Sequence, residues 1–262
     1  MILKNKIAIV VLISTLTACG EAPFRNMSDP REEEPSQAEA SSEPDFSVIT
    51  DVNQKKSAFF DYLRPAVMQE NKRVSKERDF LLRLKSKMDS EKSTDSEELA
   101  YARRLGKMYQ VSLIGDSVTG GWLSRMLLRV DVLPEELVLS QAANESAWGT
   151  SRFAVEGNNY FGQWCYRKGC GLVPASRTEG STHEVAVFET PYLSVNAYFM
   201  NVNRNNAYTE LRQIRAEQRT AGQTITGTKL AEGLSRYSER GHEYIDEIQS
   251  MIRHNNKYWS QG

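Results

Sequence analysis

The sequence predicts a mainly α protein of the α+β class, with one small β lobe among helices. Three observations carry that expectation. Apolar residues recur at three- and four-residue steps through much of residues 46–145 and again after residue 191. One stretch, Glu184-Val185-Ala186-Val187-Phe188-Glu189, alternates as a strand does. The segment before it is rich in Asn, Gly and aromatic residues and contains Cys165 and Cys170. At 262 residues the chain can hold one sizeable domain plus appendages. With 33 basic residues against 34 acidic ones, nothing in its charge points to a nucleic-acid partner.

Lys4 and Lys6 precede an apolar run over residues 7–13, and the segment closes Leu16-Thr17-Ala18-Cys19. The run is too short for a lasting transmembrane helix and has the three-part form of a secretory signal. Its end resembles the bacterial lipobox, which makes Cys19 the expected lipid anchor. Gly20 stands where an inner-membrane retention Asp would, so the resemblance implies the outer membrane. Residues 20–45 carry eight acidic residues against two basic ones and offer almost nothing to bury. They read as a disordered tether with a reach of roughly 25–30 Å. The expected organisation is a signal over 1–18, a lipidated tether over 19–45, a helical extension over 46–130 and a main domain over 131–262.

Residues 46–92 read as helical, with Val67, Val74, Leu81, Leu84 and Met88 forming an apolar stripe. Pro65 is expected to break or begin a helix there. Phe59, Phe60, Tyr62 and Leu63 are read as packing residues. Thr94-Asp95-Ser96-Glu97 has the form of a capping box opening a helix through Tyr109. Gly115, Gly120 and Gly121 then punctuate the chain before a short helix over 122–130.

The chain is organised around residues 132–149. Pro134 suits a first helical turn, and Glu135 and Glu136 suit the positive end of its dipole. Leu137, Val138, Gln141 and Ala142 mark a face to be buried. Glu145 projects beside that face from the last turn, where the dipole is negative. With Trp148 close by to exclude water, both influences should raise its pKa, which suits a general acid.

Beyond Gly149, residues 158–165 are rich in turn formers, and the short runs after them read as a β-hairpin. In an oxidising compartment Cys165 and Cys170 are expected to close a disulfide at its base. His183, His242 and His254 lie far apart in sequence, so neither a metal nor another cofactor is expected. Helices are expected over 194–202, 207–216, 226–234 and 241–254.

The order Glu145-Ser146-Ala147-Trp148-Gly149, Asn159-Tyr160-Phe161-Gly162, Asn205-Asn206-Ala207-Tyr208, Tyr237 and Tyr244 resembles the bacterial cell-wall endo-β-N-acetylglucosaminidases of glycoside hydrolase family 73. The resemblance covers about residues 132–258. It implies a lysozyme-like fold with a cleft between an α lobe and the hairpin. It also implies peptidoglycan glycan strands as the partner, cut after N-acetylglucosamine, with Glu145 as catalytic acid. A second carboxylate is expected from the hairpin: Glu179 at its polar tip by preference, Glu184 next, with Glu189 left to the scaffold. The substrate's own N-acetyl group is an alternative to a protein nucleophile. Tyr208 matches the family's tyrosine near the reacting sugar, although Asn206 replaces the usual Pro. Trp148 and Trp164 are candidate sugar contacts, Asn159 a candidate donor to the acetamido group, and Phe161 a core residue. A lytic transglycosylase and a non-catalytic wall-binding lipoprotein are the competing readings.

Overall fold

A computed structural model describes residues 44–175, 183–237 and 240–259. The expected lipid anchor Cys19, most of the tether and the preferred second carboxylate Glu179 lie outside those residues. Among the described residues are nine α-helices, three short 3-10 turns and a three-stranded antiparallel sheet, so the chain is mainly α with a small β lobe.

α1 (Val52–Asp89) starts where the Asp51 side chain accepts from the Gln54 N–H, and it continues for 38 residues. Pro65 lies inside it, contrary to expectation. The carbonyl that Pro65 leaves without its helical donor belongs to Asp61; both residues are exposed, so water can satisfy it. Phe59, Phe60, Leu63, Val67, Val74, Leu81 and Leu84 are buried, so the aromatic cluster is packing. Met88 reaches the surface near Gly120 instead of joining the core.

α2 (Ser96–Met108) opens on a capping box one residue later than the sequence suggests, with Asp95 as cap and Glu98 as its reciprocal partner. α3 (Gly120–Arg129) takes both glycines into its first turn, capped by Thr119. Pro134 then sits at the cap of α4 (Glu135–Glu145) and not inside its first turn. Seven successive residues of α4, from Leu137 through Ala143, are buried. That helix is therefore enclosed on all sides and not on one face only, the state in which amphipathic periodicity disappears.

α1 is what encloses much of it. Asn71 Nδ2 donates to the Leu133 carbonyl at 2.8 Å, and its Oδ1 accepts from the Leu133 N–H at 3.0 Å, fixing the chain as it enters α4. Arg64 pairs with Glu135 and donates to the Tyr258 carbonyl at 2.8 Å. Deeper in, Glu70, Arg73 and Glu77 form a buried ion triad. Arg73 donates to both carboxylates, at 2.8 Å to Glu70 and 2.6 Å to Glu77. Tyr109, at the end of α2, donates to Glu77 at 2.5 Å. From α6 (Pro191–Arg204), Tyr192 and Asn196 donate to Glu70 at 2.7 and 3.0 Å. The triad ties α1 to both neighbours through groups whose hydrogen bonds are satisfied, as buried charge requires.

The β lobe is the expected hairpin with one strand added. β1 (Trp164–Cys165) and β2 (Gly171–Leu172) flank a central β3 (Glu184–Ala186), each antiparallel to it. The Cys165–Cys170 disulfide is present, and it joins the end of β1 to the residue before β2, at the base of the β2–β3 hairpin. A short helix that the sequence reading lacked, α5 (Arg152–Gly157), precedes this lobe. α7 (Thr209–Thr220), α8 (Gly227–Ala231) and α9 (His242–His254) complete the α lobe near their expected places.

Candidate active site

The site forms where α4 stops. Ser146, Ala147, Trp148 and Gly149 turn the chain sharply, and the last three have φ of 50°, 59° and 78°. Left-handed backbone is unfavourable for alanine and more so for tryptophan, so other contacts must hold the turn. Ser146 is buried, and its hydroxyl accepts from the Gly149 N–H at 2.9 Å. The Trp148 N–H donates back to the Ala143 carbonyl at 2.8 Å. A Cβ on Gly149 would lie 2.4 Å from the Phe46 ring, so this position requires glycine for space as well as for φ. The turn swings Trp148 edge-on against Phe59 and Phe60 of α1, with centroids 5.7 and 5.3 Å apart.

Trp148 is therefore a packing partner of α1 and not the hydrophobic wall of Glu145. That wall is tyrosine. Glu145 is half-buried, and Tyr244 of α9 donates to its Oε1 at 2.8 Å. Tyr237 stacks on Tyr244 at 5.0 Å, and Tyr208 lies beside Tyr237 at 6.0 Å. Behind them, Tyr198 of α6 stacks on Phe161 at 4.2 Å. The hydrogen bonds run in one direction. Tyr198 donates to Gln141 Oε1, Gln141 Nε2 donates to the Tyr244 hydroxyl at 3.0 Å, and that hydroxyl donates to Glu145. Gln141 supplies an acceptor to one tyrosine and a donor to the other, which leaves the Tyr244 proton for the carboxyl group.

Burial raises the Glu145 pKa above the ordinary carboxylate value. The Tyr244 and Tyr237 hydroxyls pull it down, the nearby Glu247 pushes it up, and Arg240 opposes Glu247. Burial first, and then the Glu145 charge (for Tyr237, Tyr244 before it), also raise the phenols of Tyr208, Tyr237 and Tyr244, which stay neutral. With Oε1 engaged by Tyr244, the carboxyl proton is left to Oε2. That oxygen lies opposite Gly162, where an added Cβ would stand 3.8 Å away. The turn at residues 161–163 thus faces the reactive oxygen with bare backbone.

Belonging to that turn, Asn159 is buried and its amide is fully occupied. Nδ2 donates to the Gln163 and Ala186 carbonyls at 2.9 and 2.8 Å, and Oδ1 accepts from the Phe161 and Gln163 N–H groups. Its work is to hold the turn to β3, with no donor left over for an acetamido group. Glu184 is likewise committed. Buried on β3, it accepts from the Gly169 and Gly171 N–H groups at 3.0 and 2.9 Å. It organises the disulfide loop. Glu189 is exposed, just before α6. Trp164 is 54% exposed on β1 and stacks flat on His183 at 4.1 Å, so its outer face is open. Phe161 is buried. Among the described residues, Cys165, Cys170 and Glu184 alone cluster as metal donors would, yet the sulfurs are bonded to each other and the carboxylate holds backbone amides.

A family model described as mannosyl-glycoprotein endo-beta-N-acetylglucosaminidase matches residues 123–257. The chain belongs to this glucosaminidase family. It is also similar to the Protein bax of Escherichia coli (strain K12), at 31% identity over 220 residues, 84% of this chain and 77% of that protein. No solved structure matches it. The similarity to the bax protein spans more of the chain than the glucosaminidase match does. Of the residues around Glu145, sequence reasoning missed the bridging role of Gln141, which looks like one more member of a buried face. It also missed the Arg240–Glu247 ion pair, 2.9 Å long and without a motif of its own.

Tyr244→Phe gives a graded test of this geometry. Removing a hydrogen bond that favours the ionised carboxyl raises the Glu145 pKa further. Activity that needs the protonated acid is lost as pH rises through that pKa, so the alkaline limb of the rate profile moves to higher pH. Peak activity falls by roughly tenfold or less. A limb that stays in place, or moves to lower pH, contradicts the assignment.

Proposed function

We propose that this glucosaminidase-family glycan hydrolase cuts the glycan strand of peptidoglycan after N-acetylglucosamine, with Glu145 as general acid. The observation that carries the reading is the half-buried Glu145, held through Oε1 by the Tyr244 hydroxyl and facing backbone at Gly162. In the reaction Oε2 gives its proton to the glycosidic oxygen as the C1–O bond breaks. The departing sugar leaves as an alcohol, and water adds at the oxocarbenium-like C1 while its own proton returns to a carboxylate. Tyr208 and Tyr237, kept neutral, would turn phenol oxygens toward the reacting sugar, where lone pairs suit the positive charge that develops at C1. The exposed face of Trp164 is the proposed stacking wall for a sugar ring. Glu179 remains the proposed second carboxylate.

Cys19, following an apolar signal, is the proposed lipid anchor, and it would hold the enzyme at the outer membrane facing the periplasm. Among the described residues no helix is long and apolar enough to cross a membrane.

One observation favours a second reading. The two hairpin carboxylates that are described, Glu184 and Glu189, are a structural ligand of backbone amides and an exposed residue. A lytic transglycosylase can work with a single acid, closing the sugar's own C6 hydroxyl onto C1 without water. Mass spectrometry of products from purified protein on sacculi separates the two. Reducing N-acetylglucosamine ends are expected; 1,6-anhydromuramic ends would replace hydrolysis by transglycosylation. Absence of any cleavage would refute both.

A further inference from the structure

A groove of about 550 Å³ opens beside Glu145 without including it. Lys56 of α1 lines one end, Asn144 and Trp148 line the wall where α4 ends, and Glu247, Ser250 and His254 follow along α9. Tyr244, which holds Glu145, stands one turn before Glu247 and ten residues before His254 on the same helix. The groove therefore leads away from the reacting centre, following α9 for about 10 Å from Glu247 to His254.

Its charges are placed at its ends. Lys56 Nζ is positioned by Asn255 Oδ1 at 2.8 Å and lies 5.3 Å from the centre of the Trp148 ring. Glu247 lies at the end nearer Glu145, where its charge is felt by that carboxyl, and it pairs with Arg240. Between them run the half-exposed Trp148 and the polar side chains of Asn144 and Ser250. The sugar backbone of peptidoglycan is uncharged. Its charges sit on the peptide stems, which carry free carboxylates and a free amine. A cation at one end and a carboxylate at the other match a stem, where a further run of sugars would find polar but uncharged walls sufficient.

We propose that this groove binds the peptide stem borne by the strand being cut, with Lys56 meeting a stem carboxylate and Glu247 the stem amine. The proposal rests on the glycan-strand reading above and extends it to the substrate class, strands that still carry their stems. It also gives α1 a part in recognition, since Lys56 is its contribution to the groove.

The test compares kcat/KM of the full chain on stem-bearing strands and on strands stripped of stems by an amidase. Wild type should favour the stem-bearing strand. Lys56→Glu should lower the ratio of the two by roughly tenfold or more, and Lys56→Arg should preserve it. A wild type without preference, or a ratio that Lys56→Glu leaves unmoved, overturns the proposal. Should wild type cut neither strand, the hydrolase reading fails on its own. Titration of the free stem peptide into the full chain, followed by amide NMR shifts, then decides the groove. Shifts at Ser250 and His254 that disappear in Lys56→Glu support it, and their absence in wild type overturns it.

Discussion

Glu145→Gln is expected to lower glycan cleavage by about 10²–10⁴-fold while leaving the fold intact, the range a positioned proton donor contributes. The amide is nearly isosteric, and its oxygen can still accept from Tyr244, so the chain Tyr198–Gln141–Tyr244 keeps its direction. What disappears is the acidic proton on the side facing Gly162. The variant should therefore melt near the wild-type temperature and retain affinity for glycan. Turnover equal to wild type in a sensitive assay would favour the wall-binding reading, in which the cleft holds strands without cutting them.

The largest expected effect on stability lies elsewhere, at Arg73. Arg73→Leu leaves Glu70 and Glu77 buried without their cation. Removing one partner of a buried ion pair typically costs about 3–5 kcal/mol. For a chain of this size that corresponds to a fall in Tm of roughly 10 °C or more. Burial already holds the Glu77 carboxyl above its usual pKa despite the guanidinium. Most of the penalty is thus the stranded charge and not lost packing. Arg73→Leu combined with Glu70→Gln and Glu77→Gln should accordingly recover much of the loss, because the tyrosine donors keep acceptors. Additive destabilisation by the three changes, read from thermal or denaturant melts, would show the triad to be ordinary packing.

That triad also marks what was legible in the sequence and what was not. Residues 67, 70, 74, 77, 81, 84 and 88 follow one alternation of three- and four-residue steps, so Glu70 and Glu77 occupy positions of the same stripe as Val67 and Val74. A hydrophobicity reading skips them as polar, though their spacing already assigned them to the core. Pro65 misled for the opposite reason. An interior proline always loses a hydrogen bond and crowds the carbonyl four residues before it, but a long, well-packed helix can absorb that cost where the carbonyl is exposed, and local sequence does not report that exposure. The mainly α class, the strand at Glu184 and the part-buried place of Glu145 at the end of α4 were readable because each rests on short-range pattern. The cause of the raised Glu145 pKa was not. Trp148, three residues away in sequence, is turned toward α1, and the tyrosines that reach Glu145 from distant elements, Tyr237 and Tyr244, pull its pKa down against the burial that raises it.

The β lobe shows the same limit. The expected hairpin is present as β2 and β3, yet β1 adds a third strand on the other edge of β3, which two residues, Trp164 and Cys165, do not announce. Order within a sheet depends on where the third strand finds an open edge, which alternation alone does not encode. Asn159 follows suit. An Asn in a turn beside a cleft looks like a ligand for an amide, and only its four hydrogen bonds assign it to the scaffold.

The most direct measurement is a ¹³C NMR titration of the glutamate carboxyl groups in the intact protein, with Glu145→Gln used to assign the Glu145 signal. One glutamate, absent from the variant's spectrum, should stay protonated to a higher pH than the exposed glutamates do. If the Glu145 signal instead titrates together with those surface groups, its carboxyl is ionised whenever the enzyme works, and it cannot be the acid described here.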